Sequence, residues 1–151
     1  TVGFRQGCPE IGEFSCKSFA EGKPRFEKMN MEEWLKLHPD LGAADNEVVV
    51  TKRRISAFTG SDLEVILRAY DTRHLVLAGF STSGVLLSTL CEAADKDYKL
   101  TILSDGCADP DQELHHTLLT KVFAKRGDVV TVDQWTASNE GVSFPPIKSN
   151  A

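Results

Sequence analysis

A chain of 151 residues with 41% hydrophobic and 26% charged residues has the composition of one globular domain able to bury its own core. Its net charge of −5 argues against nucleic acid or an anionic membrane surface as the main partner, because either needs a basic footprint. No apolar stretch approaches the length that spans a bilayer, and the opening Thr1-Val2-Gly3-Phe4-Arg5 has the pattern of neither a signal nor a transit peptide.

The first 46 residues carry weak periodicity. Thr1 to Arg5 reads as the end of a strand, and residues 7–28, with scattered Gly, Pro and Phe, read as a long ordered loop. A short helix is expected from Asn30, with Asn30 capping, Glu33 three positions on, and His38-Pro39 ending it. Val48-Val49-Val50 then predicts a short buried strand ending at Thr51-Lys52. Ser61, followed by Glu64, forms a capping-box pattern, and Leu63, Ile66, Leu67 and Tyr70 keep helical spacing. Leu75-Val76-Leu77-Ala78-Gly79 predicts a second strand, closed by the small-residue turn Ser81-Thr82-Ser83-Gly84. A helix follows, with Val85, Leu86, Thr89, Leu90 and Ala93 facing inward. Leu100-Thr101-Ile102-Leu103 predicts a third strand, which closes on Ser104-Asp105-Gly106. Asp109 as cap, Pro110 at the first helical position and Gln112 open a further helix, whose buried stripe is Leu114, Leu118, Val122 and Phe123. Gly127 ends it, and Val129-Val130-Thr131-Val132 is the last strand.

Strands alternating with helices predict a parallel sheet with right-handed crossovers: an α/β, doubly wound fold of three layers. Ligands of such folds bind at the carboxyl ends of strands, here Lys52, residues 79–84 and residues 104–106. The four cysteines, Cys8, Cys16, Cys91 and Cys107, form no Cys-x-x-Cys pair and meet no matching His spacing, so no zinc site is expected. They read as reduced thiols of a cytoplasmic protein, with Cys8 and Cys16 the one plausible pair.

Three ordered segments carry a resemblance. Val49-Val50-Thr51-Lys52-Arg53-Arg54-Ile55-Ser56-Ala57-Phe58 resembles a strand, a lysine and a Ser-Ala-Phe ahead of a Leu-rich helix in the isochorismatase-like hydrolases, the cysteine hydrolase superfamily. Gly79-Phe80-Ser81-Thr82-Ser83-Gly84-Val85 is similar to that family's Gly-x-x-Thr-x-Cys-Val turn, and Ser104-Asp105-Gly106-Cys107-Ala108 to the end of its next strand. The agreement runs from about residue 47 to residue 135.

The resemblance implies a site. In most members a cysteine at the strand-to-helix turn attacks a carbonyl, an aspartate is the general base, a lysine orients the pair, and turn amides beside a non-proline cis peptide hold the oxyanion. The lysine maps to Lys52 and the cis bond to Phe80-Ser81, while the cysteine position maps to Gly84. The aspartate, and the central strand that carries it, have no counterpart, so the first strand is expected to lie upstream of residue 1. Glycine at the turn is also found in the isochorismate-cleaving branch, where an aspartic acid protonates a vinyl ether and water adds to the resulting cation. The resemblance thus implies a hydrolase of a small anionic molecule, with Lys52 and Gly84 as catalytic positions and Phe80, Ser81, Thr82, Ser83, Phe58 and Arg5 contacting substrate. No cofactor and no metal are implied. A homo-oligomer is, with residues 135–147 within or ahead of the tail 136–151 as a candidate exchange arm.

Each residue also has a plainer reading. Lys52 can be a surface lysine beside two arginines, Arg5 a solvated arginine, and Phe58 core rather than pocket wall. Ser83 and Ser88 are poorly placed to replace a nucleophile, because a one-residue shift at a helix start turns the side chain by roughly 100°. Asp105 reads as a brace for turn amides, and His115 and His116 as surface or interface groups. The second reading of the whole is a catalytically silent binding or scaffold protein on the same fold. A nucleotide binder is disfavoured, since neither Gly-x-Gly-x-x-Gly nor a phosphate loop is present.

Overall fold

The computed structural model describes residues 1–139. The chain packs as two compact units, Thr1–Arg54 and Ile55–Ala151. Most of the tail 136–151, and of the candidate arm 135–147, lies outside the described residues.

In the first unit the valine run does not become a strand. Val48 and Val49 are half exposed, and pairing is confined to one parallel bridge between Val2 and Lys52. There the Lys52 amide donates to the Thr1 carbonyl (2.9 Å) and the Gly3 amide to the Lys52 carbonyl (3.1 Å). β-branched residues favour extended backbone, but a strand needs a ladder along its length, and this one has a single rung.

The stretch expected as loop holds helix α1 (Lys17–Phe26). Gly22 and Pro24 lower its intrinsic propensity, so tertiary packing must carry it. Phe19 and Phe26 close on Phe4, with ring centroids 5.7 and 5.0 Å from it. Gly22 serves this packing, because a Cβ there would sit 2.7 Å from the Phe26 ring. The next helix, α2 (Met31–Leu35), starts as expected, with the Asn30 side chain accepting from the Glu33 amide.

The second unit contains α3 (Leu63–Ala69), β1 (His74–Phe80), α4 (Leu87–Asp95), β2 (Lys99–Ala108), α5 (Gln112–Thr117), β3 (Asp128–Val130) and α6 (Val132–Ser138). The three strands are parallel in the order β1-β2-β3, so the expected α/β class with a parallel sheet holds. Leu86, Leu90, Leu100, Ile102 and Phe123, each at most 3% exposed, form the centre of its core. These are the apolar positions that helical spacing and the strand run place inward.

Local chemistry differs from expectation in several places. The capping box at Ser61 does not form. Its hydroxyl donates to the Ala57 carbonyl at 2.6 Å, and Glu64 turns to Arg68 and Lys96 instead, at 2.7 Å each. The cap of α5 is Asp111, which accepts from the Leu114 amide, not Asp109. Leu114 is 41% exposed and Leu119 is buried, because α5 runs into a wider turn at Leu118–Val122 that rotates the apolar stripe. The last strand ends at Val130. Thr131 caps α6 by a reciprocal bond with Gln134, which takes Val132 into the helix.

Candidate active site at the strand-to-helix bend

Strand β1 delivers the chain to Phe80, and the peptide to Ser81 is cis. A wide turn, Thr82–Leu86, then leads into α4. Small hydroxyl residues suit this place, since each can satisfy helix-start amides or neighbouring carbonyls. Thr82 is fully buried; its hydroxyl donates to the Ala108 carbonyl (3.2 Å) and lies 2.8 Å from His115 Nδ1. Ser83 donates both its amide and its hydroxyl to Asp109 Oδ2, each at 2.7 Å. Asp109 is only 5% exposed and also accepts from the Asp111 amide at 3.2 Å. The Ser83 amide, then its hydroxyl, hold this carboxyl below the ordinary aspartate value.

Gly84 follows. A Cβ placed on it would meet one atom within 4 Å, the Ser81 hydroxyl oxygen, at 2.8 Å. Phe80 is 67% exposed at the mouth of the bend. The structure therefore brings Phe80, Ser81, Thr82, Ser83 and Gly84 together. Phe58 belongs to the same unit but lies in its core, stacked on Tyr98 (6.0 Å) with the Lys96 ammonium over its ring (5.7 Å).

Lys52 and Arg5 belong to the first unit. Lys52 is buried, its ammonium donates to the Arg54 carbonyl at 2.6 Å, and burial pushes its pKa below the ordinary lysine value. The Arg5 side chain is largely exposed and pairs with Glu10, Nε to Oε1 at 3.3 Å.

Two residues of the bend's surroundings are not visible in the sequence. Asp109 reads there as a helix cap and His115 as a surface group, yet both bond to the bend. The one available signal is the acid directly after the Cys107-Ala108 strand end, 26 residues from Ser83. Cysteine is absent from residues 80–86. Cys91 lies in α4 and Cys107 in β2, where burial raises the thiol pKa. Among the described residues no group of three or more His, Cys, Asp or Glu is arranged to hold a metal ion, and no helix is long and apolar enough to cross a membrane.

The second unit is thus a parallel α/β domain whose first described strand passes through a cis peptide into a hydroxyl-rich helix start. Residues 16–134 match the model of the isochorismatase domain, and the chain belongs to that family. It is similar to a maleamate amidohydrolase of Pseudomonas putida, 33% identical over 85 residues, which are 56% of this chain and 40% of that protein. It is also similar to an isochorismatase of Bacillus subtilis, 32% identical over 98 residues, or 65% of this chain and 31% of that one. A solved isochorismatase family protein from Burkholderia thailandensis superposes with a TM-score of 0.67 at 36% identity, covering 69% of this chain and 55% of the other. The chain spans about half the length of the curated relatives it matches.

Proposed function

We propose that this chain is part of a hydrolase of small anionic molecules that works without a covalent enzyme intermediate, cleaving a vinyl ether of the isochorismate type. One observation carries the reading. The bend offers no activated nucleophile, and at Gly84 the rotatable Ser81 hydroxyl oxygen stands 2.8 Å from where a Cβ would be. No thiol lies on residues 80–86. Thr82 is sealed from solvent and the Ser83 hydroxyl is committed to a carboxylate. The Ser81 hydroxyl lies against Gly84 but has no basic partner among the described residues, and a serine without a base is a weak nucleophile.

Similarity alone does not choose the chemistry. An amidohydrolase and an isochorismatase match this chain at nearly the same identity. Amide hydrolysis by a covalent route needs a nucleophile that attacks the carbonyl. Vinyl-ether hydrolysis needs a proton delivered to carbon and a water molecule, and for that a glycine in place of a nucleophile is no loss. In this reading Gly84 admits the substrate, Phe80, Ser81, Thr82 and Ser83 shape its seat, and Phe58 backs it from the core. We further propose that the working protein is a homo-oligomer.

The test supplies isochorismate and maleamate separately to the purified chain and follows each by chromatography. Cleavage of isochorismate alone supports the reading. Cleavage of maleamate alone overturns it in favour of a nucleophile elsewhere, and binding of either without cleavage favours a silent scaffold.

A further inference from the structure

We propose that Asp109, in the connection between β2 and α5, and His115, in α5, are positioning residues that clamp the bend. The proposal rests on the reading of the bend as a reaction centre. Its geometric half stands on hydrogen bonds within one compact unit.

Proton counting at Thr82 identifies the donor in each of its two contacts. A threonine hydroxyl has one proton to give. The Ala108 carbonyl can only accept, and it lies 3.2 Å from Thr82 Oγ1. The second contact of the same oxygen, 2.8 Å to His115 Nδ1, is then one in which the ring donates. Thr82 is fully buried, so no solvent molecule takes either place. His115 is thereby held with its proton on Nδ1, and in the neutral ring Nε2 keeps the lone pair. One turn residue along, Ser83 gives its amide and hydroxyl to Asp109. Asp109 is itself fixed, since its Oδ1 accepts from the Asp111 amide at 3.2 Å and its carbonyl accepts from the Gln112 side chain at 2.8 Å.

Two consecutive residues of the bend are thus tied to the end of β2, the connection after it and α5, 26 to 33 residues away. Gly84, the next residue, has no side chain of its own to anchor it. Its place in space is set by Thr82 and Ser83 before it and by α4 after it. Releasing the clamp shifts the surface on which substrate rests, and small displacements of a reacting geometry cost rate far more than they cost binding.

The experiment has two arms on the full chain. Nitrogen-15 NMR of the imidazole needs no substrate. It is expected to find His115 with its proton on Nδ1 in the wild type, a mixed tautomer in Thr82→Val, and the wild-type pattern restored in Thr82→Ser. A proton on Nε2 in the wild type overturns the clamp. The kinetic arm measures isochorismate cleavage by Asp109→Asn and Thr82→Val. It is expected to lower kcat on the order of 10- to 100-fold with KM little changed, and to recover with Thr82→Ser. Folded variants with wild-type kcat overturn the positioning role. Ser83→Ala, which removes the hydroxyl bond and keeps the amide bond, replaces Asp109→Asn should that variant not fold, and a smaller loss in kcat is expected from it. A wild type that cleaves nothing defeats the proposed function, and the NMR arm then decides the clamp alone.

Discussion

Asp109 and Ser83, 26 residues apart, are joined twice over: one carboxylate oxygen accepts the serine amide and the serine hydroxyl, each at 2.7 Å. Because these bonds favour the charged form, the folded carboxyl titrates below its ordinary value of 3.8. Their contribution to stability is complete above that value and is lost as pH falls through the lower, folded one. Asp109→Asn is therefore expected to melt below wild type near neutral pH, with the two melting temperatures converging in acid. Calorimetry across the acid range reads this directly.

The core makes a sharper demand. Phe123 is fully buried among Leu90, Leu100 and Ile102. Phe123→Ala is expected to cost about 3–5 kcal/mol and Leu90→Ala about 2–5 kcal/mol in urea unfolding. Leu114→Ala, at a position 41% exposed, is expected to change stability by no more than about 0.5 kcal/mol.

Two glycines separate packing from site. A Cβ on Gly127 would lie 2.6 Å from the Leu100 carbonyl oxygen, which is backbone and cannot yield cheaply. Gly127→Ala is expected to destabilise by about 1–3 kcal/mol. At Gly84 the one obstacle is the rotatable Ser81 hydroxyl, so Gly84→Ala is expected to fold as stably as wild type. A loss of turnover in that stable variant assigns the glycine to substrate space.

Cysteine reactivity follows local electrostatics. Cys16 is exposed, and its thiolate is favoured first by the Ser18 hydroxyl and then by the Phe19 amide, which lower its pKa below 9.0. Cys8 is buried, and desolvation raises its pKa. Iodoacetamide under native conditions is expected to label Cys16 first and Cys8 last, as read by peptide mass spectrometry.

For Lys52 the pH dependence has the same sign as for Asp109, although here burial disfavours the charged form instead of hydrogen bonds favouring it. Burial lowers its folded pKa below 10.5, so the unfolded chain binds more protons between the folded value and 10.5. Wild-type stability relative to Lys52→Met is expected to rise with pH across that window. Urea unfolding at stepped alkaline pH measures it.

The sequence makes the second unit far more legible than the first. β1, β2 and the helix carrying Leu90 and Ala93 follow from apolar spacing, because there burial and periodicity coincide. Helix α1 is hidden by Gly22 and Pro24, whose place depends on an aromatic cluster closed by Phe4, far away in sequence. The Val48-Val49-Val50 run misleads for the converse reason: its local preference is for strand, and the ladder that would realise it is missing among the described residues. At the site, the cis peptide and the hydroxyl-rich turn are foreseen through family resemblance. The hold of Asp109 and His115 on that turn is not, since it arises from strand register bringing Ala108 beside Phe80.

The proposed chemistry is tested most directly by isochorismate cleavage in deuterated water. Protonation at carbon followed by water addition predicts one solvent deuterium retained in the three-carbon product, with no mass added to the protein at any time during turnover. An acyl or alkyl adduct on a cysteine or serine of the chain, seen by intact-mass measurement during turnover, would contradict the account.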